Sequence, residues 1–162
     1  MFHIIKSHIS PNISTIFNHL KNSFLGYPHQ EKEPKKNLSN LTDEVNVNYP
    51  GSHAVYWTYD PETNLYSRFR NNSIETDKDN GQTVKAGVVV VIKTTSRFLK
   101  EQYISVEVQG EGMAQIYQNG GVVNGKWKKN PVQLDSRLYF YDDSGKEIQF
   151  APGKIWVEIV VN

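Results

Sequence analysis

From Glu44 onward, apolar side chains recur at every second position in short runs, and a turn signal closes each run. Period two sends successive side chains to opposite faces of a strand, so the pattern calls for half-buried β-strands rather than amphipathic helices. Val45, Val47 and Tyr49 alternate with polar residues before Pro50-Gly51 turns the chain. Residues 54–59 (AVYWTY) and 65–70 (LYSRFR) flank Asp60-Pro61-Glu62-Thr63-Asn64, a good type I turn sequence. Residues 77–81 (DKDNG) form a turn before the segment 83–92, whose unbroken VVVVI run reads as a strand buried on both faces. Residues 103–108 alternate again. Segments 113–118 and 122–128 surround Asn119-Gly120, a strong short hairpin signal. Segments 138–141 and 146–150 are joined by Asp142-Asp143-Ser144-Gly145, and Pro152-Gly153 leads into a last strand at 155–161.

Roughly nine strands at spacings of about 8 to 12 residues predict a mainly β fold, α+β overall once the N-terminal segment is counted. The expected architecture is an antiparallel meander forming a sandwich or partial barrel, with one N-terminal amphipathic helix packed against it. That helix is placed over residues 10–26. Ser10 suits its N-cap, Pro11 its first turn and Gly26 its stop, while Ile13, Ile16, Phe17, Leu20 and Phe24 fall on one stripe. Residues 27–42, with two prolines and the run EKEPKK, read as a solvated connector. The chain thus divides into 1–43, helix and connector, and 44–162, the β domain.

At 162 residues the chain suits one domain, and 12% aromatic content supplies a core without unusual help. A net charge of +1 argues against nucleic acid as a partner. The chain has no cysteine, which removes disulfides, thiol catalysis, cysteine zinc sites and an acylated cysteine anchor together. Residues 1–14 hold too short an apolar run for a signal peptide, and VVVVI is far too short to span a membrane. The chain reads as soluble, either complete or the tail of a longer parent.

Candidate chemistry is sparse. All five histidines lie in the first third, and no Gly-x-Ser-x-Gly elbow occurs, so nucleophilic catalysis is not expected. His3 and His8 have a loose zinc-finger spacing without its cysteine half. Asp77-Lys78-Asp79-Asn80-Gly81 is one residue short of a calcium-loop start, and ordinary turn chemistry explains it. Asp142 and Asp143 are adjacent in a tight turn, where two carboxylates do not face each other across a cleft. In Lys126-Trp127-Lys128-Lys129, Trp127 faces one side of a strand and Lys126 and Lys128 the other, the pattern of a buried anchor with a solvated face. No catalytic residue, metal ligand or cofactor is expected. The binding candidate is the hairpin around Asp60. If its register brings the faces together, Trp57, Tyr59, Tyr66 and Arg68 form one patch of the kind enriched at binding hot spots. The plain alternative is core aromatics with an arginine stacked at the rim.

Several segments carry a family resemblance by their order and spacing. They are Val55-Tyr56-Trp57-Thr58-Tyr59-Asp60, Tyr66-Ser67-Arg68, Asp77 with Gly81, and Lys85-Ala86-Gly87-Val88-Val89-Val90. Further on come Gly110-Glu111-Gly112-Met113-Ala114, Asn124-Gly125-Lys126-Trp127-Lys128-Lys129, Asp143-Ser144-Gly145-Lys146-Glu147-Ile148 and Pro152-Gly153-Lys154-Ile155-Trp156-Val157. Over residues 54–162 the chain resembles the C-terminal domain of the YerB-like family of bacterial lipoproteins. The family also places a helix before this domain, and Ser10-Pro11-Asn12-Ile13 is a loose form of its Ala-Pro-His-Asn stretch. This chain has Gly87 where the family tends to have Asn, and Asn72 where it tends to have Gly. The family's larger N-terminal domain and lipoprotein signal have no counterpart in these residues. The resemblance implies an extracytoplasmic protein anchored at the bacterial membrane, and no established activity or catalytic residue is carried over.

Three functional readings follow. The first is a non-catalytic interaction module binding a protein or cell-envelope component through Trp57, Tyr59, Tyr66 and Arg68. The second is the structural half of a two-domain envelope hydrolase, with Asp77, Glu75 and Arg68 as candidate groups. The third is a domain that packs against the N-terminal domain of a longer parent.

Overall fold

The computed structural model describes residues 26–30, 42–49, 54–133 and 135–161. The helix expected at 10–26 lies outside the described residues apart from Gly26. Within them the fold is mainly β, as the period-two pattern requires.

Five strands form the first sheet: β1 (Glu44–Asn46), β2 (Val55–Asp60), β3 (Leu65–Arg70), β4 (Ser73–Ile74) and β5 (Lys85–Ala86). The order is β1-β2-β3-β4, with β5 also pairing β3, and every pairing is antiparallel. β6 (Val88–Thr94) opens the second sheet. β7 (Ser96–Lys100) and β8 (Tyr103–Val106) form a two-stranded arm, and the second sheet resumes with β9 (Gly110–Gln118), β10 (Gly121–Lys129), β11 (Tyr139–Asp142) and β12 (Ile155–Val161). Its order is β11-β10-β9-β6-β12.

The turns explain why the strands pair where they do. Asp60 accepts hydrogen bonds from the Thr63 hydroxyl at 2.7 Å and the Glu62 amide at 2.9 Å, closing the β2–β3 turn. Asn119 and Gly120 have φ of 53° and 74°, as a two-residue hairpin loop demands, and β9 and β10 pair without a slip. Between β3 and β4, Asn71 and Asn72 have φ of 49° and 64°. Asparagine tolerates this left-handed region better than other residues with a Cβ, which suits Asn71 and Asn72 to this tight turn.

Four expectations are corrected. Segment 83–92 is two strands: β5 belongs to the first sheet and β6 to the second, so the chain changes sheets at Gly87. A Cβ at Gly87 would lie 2.7 Å from the Pro152 carbonyl oxygen, because the strands pass close together there. The second sheet is not a pure antiparallel meander, since β12 runs parallel to β6. The chain returns through the turn at Pro152-Gly153 to the free side of β6, and the Gly87 and Val88 amides both donate to the Lys154 carbonyl. Residues 146–150 form no strand and are held by isolated bonds, such as Ile148 N–H to the Phe140 carbonyl at 2.9 Å. The expected connector also departs from a solvated segment at its start. Tyr27 packs on Phe140 and Phe150, and the Gln30 amide bonds the Phe150 carbonyl.

All five residues of the VVVVI run are buried. Val89 and Val91 face a core between the two sheets, with Val45, Trp57 and Tyr66 from the first. Val88, Val90 and Ile92 face a second core, with Ile116, Trp127, Phe140 and Phe150. Each such side chain contributes about 1.5–3 kcal/mol by leaving water, so β6 serves both cores at once. Gly112 and Trp127 show how closely the second core is packed. The Trp127 indole N–H donates to the Lys93 carbonyl at 3.1 Å, and a Cβ at Gly112 would stand 2.5 Å from that nitrogen. Gly112→Ala is therefore expected to lower unfolding free energy by about 1–3 kcal/mol, measured as a reduced urea midpoint.

Candidate functional site

The β2–β3 register pairs Trp57 with Arg68 and Tyr59 with Tyr66, so the four side chains do meet on one face. That face points inward. Trp57 and Tyr66 have no measurable exposure, Arg68 is 4% exposed and Tyr59 8%. Of the two sequence readings of this hairpin, burial favours core aromatics with an arginine among them, because the second sheet lies over this face.

Glu158, on β12, joins this cluster from the opposite sheet. Its carboxylate accepts from Arg68 Nε at 2.9 Å, Trp57 Nε1 at 3.0 Å and the Tyr49 hydroxyl at 2.6 Å. Arg68 also pairs with Glu75, and its guanidinium lies 5.3 Å from the Trp156 ring centroid and 5.8 Å from that of Trp57. Both members of the Arg68–Glu158 pair are almost fully buried. Burial alone would favour a neutral arginine, but Glu158 and Glu75 outweigh it and hold the guanidinium more firmly protonated than usual. Burial, with Glu158 beside it, pushes the Tyr49 phenol well above its ordinary range, and burial does the same to Tyr66. Tyr66 closes the other end of the cluster by accepting from the Gly120 amide at 3.2 Å.

Asp77 does not join this group. Its carboxylate accepts from the Asp79 amide at 2.9 Å and closes its own turn, while Glu75 is engaged by Arg68 and Arg70. Among the described residues no group of three or more His, Asp or Glu side chains has metal-site geometry.

The accessible site lies elsewhere on the same face of the second sheet. Among the described residues, β6, β9 and β12 supply this face to the core between the sheets. Toward β10 and β11 it is open, and Met113 is 58% exposed. Register places Lys128 beside Glu111 and Tyr139, and Lys126 beside Met113 and Tyr141. Trp127 and Phe140 point to the opposite side, into the second core. The result is a trough with two depressions. One, of about 500 Å³, is lined by Glu111, Lys128, Lys129, Tyr139, Tyr141 and the adjoining Gly110, Asn130 and Pro131. The other, of about 300 Å³, is lined by Lys126, Lys128, Tyr141, Asp142 and Asp143. Lys128 and Tyr141 border both.

The walls are braced. The Tyr139 and Tyr141 rings lie nearly parallel with centroids 6.1 Å apart, and Arg137 sits 4.4 Å over Tyr139. Lys129 Nζ donates to the Ser136 carbonyl at 2.6 Å. Lys128 pairs with Glu111 at 3.0 Å, and its hydrogen bond holds the Glu111 carboxyl below the usual range. The Asp142 carboxyl is likewise lowered, first by the Ser144 hydroxyl and then by backbone amides.

Residues 45–157 match the family described as "Protein of unknown function (DUF3048) C-terminal domain". The chain belongs to this family. It is 27% identical over 128 residues to "Putative lipoprotein YerB" of Bacillus subtilis (strain 168), covering 75% of this chain and 37% of that protein. The crystal structure of YerB from Bacillus subtilis has the same fold, with a TM-score of 0.61 at 24% identity over 74% of this chain and 40% of that one. The chain therefore spans well under half the length of the DUF3048 relative it matches. Many residues behind the family resemblance have packing roles here: Gly112 makes room for Trp127, and Trp57 and Arg68 meet Trp156 across the sheets.

Sequence reasoning placed Lys126 and Lys128 opposite Trp127 but passed over Tyr139, Tyr141 and Glu111. The alternation of Tyr139 and Tyr141 around Phe140 was the available signal. What it lacked was the pairing of β10 with β11.

Two outcomes follow from the Arg68–Glu158 network. Arg68→Ala leaves Glu158 buried without its cation and is expected to cost about 3–5 kcal/mol. An Arg68→Met, Glu158→Leu double variant should recover part of that loss in chemical denaturation. The raised phenols of Tyr49 and Tyr66 contribute stability that is fully present below their unfolded value of 10.0 and lost as pH rises through their folded values. Urea midpoints should accordingly fall above about pH 10, and less steeply in Tyr49→Phe.

Proposed function

We propose that this domain is a non-catalytic binding module whose working surface is the trough across β10 and β11. One observation carries the reading: Lys126, Lys128, Tyr139 and Tyr141 stand in register on a sheet face that the other sheet leaves uncovered. Tyrosine combines contact area with a hydrogen-bonding tip at little entropic cost, and a lysine stem adds apolar surface beneath its charge. A concave site with such walls suits binding. The buried cluster of Trp57, Tyr59, Tyr66 and Arg68 takes a supporting part, locking the sheets so that the trough keeps its shape. The hydrolase reading draws less support, because Asp77 is occupied in its own turn and Glu75 in ion pairs. The relative's name as a lipoprotein favours a module held outside the bacterial cytoplasmic membrane, with an envelope component as its ligand.

The test is capture from bacterial envelope and cytosolic fractions by the immobilised chain. Wild type is compared with Lys126→Ser and Tyr141→Ser variants of matched melting temperature. Lys126 is exposed, so its substitution should change stability by less than about 1 kcal/mol, and Tyr141 is half-buried, which is why its variant is compared at matched melting temperature. Retention is expected to drop at least about tenfold, a loss of about 1.4 kcal/mol of affinity. Equal retention by all three proteins would move binding away from the trough.

A further inference from the structure

We infer that the trough accepts an extended, uncharged glycan that crosses Tyr141 and occupies both depressions. The inference rests on the binding reading above and adds the class of ligand.

Charge balance is the first argument. The two depressions are lined by Lys126, Lys128 and Lys129 and by Glu111, Asp142 and Asp143, and the Lys129 ammonium is bonded to the Ser136 carbonyl, so no excess of free cations faces the trough. Lys128 is already paired with Glu111 at 3.0 Å. Such a surface gives a polyanion no net attraction, whereas a nucleic-acid or acidic-polymer site carries a clear excess of cations.

Hydrogen-bonding capacity is the second. The ammonium groups donate, the carboxylates accept, and the phenols of Tyr139 and Tyr141 do both. Every hydroxyl of a sugar is likewise donor and acceptor, so adjacent hydroxyls match a wall on which donors and acceptors alternate. The C–H face of a sugar ring also packs against an aromatic ring by dispersion.

The backbone supplies the third. An extended peptide gains affinity mainly by adding to a free sheet edge. Here β10 is bonded to β9 and β11 on its two sides, and β9 to β10 and β6. The outer side of β11 is also engaged, through the Ile148 amide to the Phe140 carbonyl and the Asp142 amide to the Lys146 carbonyl. The trough floor therefore offers no ladder to a peptide, and a ligand must bring its own hydrogen-bonding groups.

Shape is the fourth. Lys128 and Tyr141 are shared walls, so a single sugar fills only one depression while a chain fills both. Outward positions along β10 are spaced about 6.6 Å apart, so Lys126 and Lys128 meet successive parts of an extended ligand.

The test is isothermal titration of the folded chain with cellohexaose, chitohexaose and xylohexaose, each beside its disaccharide. At least one hexaose should bind, at least about tenfold more tightly than its disaccharide. Tyr141→Ala should weaken it by a similar factor, while about 50 to 500 mM salt should change it little, unlike a polyanion. Poly-L-glutamate and dextran sulfate serve as comparisons. Failure of every hexaose, or hexaose binding indifferent to Tyr141→Ala, overturns the inference. Binding of a comparison polymer alone, with steep salt dependence, also overturns it yet keeps the trough as a binding surface. If trough variants alter neither titration nor capture from cell fractions, the binding reading falls as well.

Discussion

A guanidinium and a carboxylate, both almost out of water, meet between the two sheets. Arg68 comes from β3 and Glu158 from β12, 90 residues later, and an indole N–H and a phenol fill the remaining acceptor positions of the carboxylate. Removing two ions from water costs several kcal/mol each, and their attraction offsets this only with good geometry and further hydrogen bonds. Glu158 receives those bonds, and the rings of Trp57 and Trp156 stand against the guanidinium. An apolar contact tolerates sliding of one sheet over the other. A network of directional bonds from several strands does not, so the pair fixes how the sheets are superposed.

That superposition has a consequence at the far end of the second sheet. The first sheet covers the β12–β6–β9 side, and the β10–β11 side of the same face stays open. The opposite face is sealed beneath it by Trp127, Phe140 and Phe150, with Tyr27 packed alongside. β10 and β11 are thus anchored on one side and free on the other. A rigid strand pair with an open, tyrosine- and lysine-lined face is a pre-organised surface, and little ordering entropy remains to be lost when a ligand settles on it.

Local chemistry made much of this fold legible. Short strand-like runs bounded by turn signals marked β2, β3, β10 and β12, Asn119-Gly120 marked the β9–β10 hairpin, and the valine run was recognisable as doubly buried. Where reasoning failed, the missing information was non-local. The run through Gly87 looked continuous because nothing nearby reveals a change of sheet. There the chain passes Pro152, 65 positions away, so closely that a Cβ at Gly87 would not fit. Residues 146–150 carried strand-like alternation, but β11 offers them only isolated bonds.

The candidate site follows the same division. Strand alternation by itself determines that Lys126 and Lys128 oppose Trp127, that Tyr139 and Tyr141 oppose Phe140, and that Trp57 shares a face with Tyr59. It cannot say which face meets the core, because an aromatic-rich face serves equally as a hot spot or an interior. Tertiary structure decided that question. Glu158 drew the Arg68 face inward, since a charged residue on the inner side of one sheet needs its counter-ion from the other. The pairing of β10 with β11 then assembled on the surface a site that neither strand encodes alone.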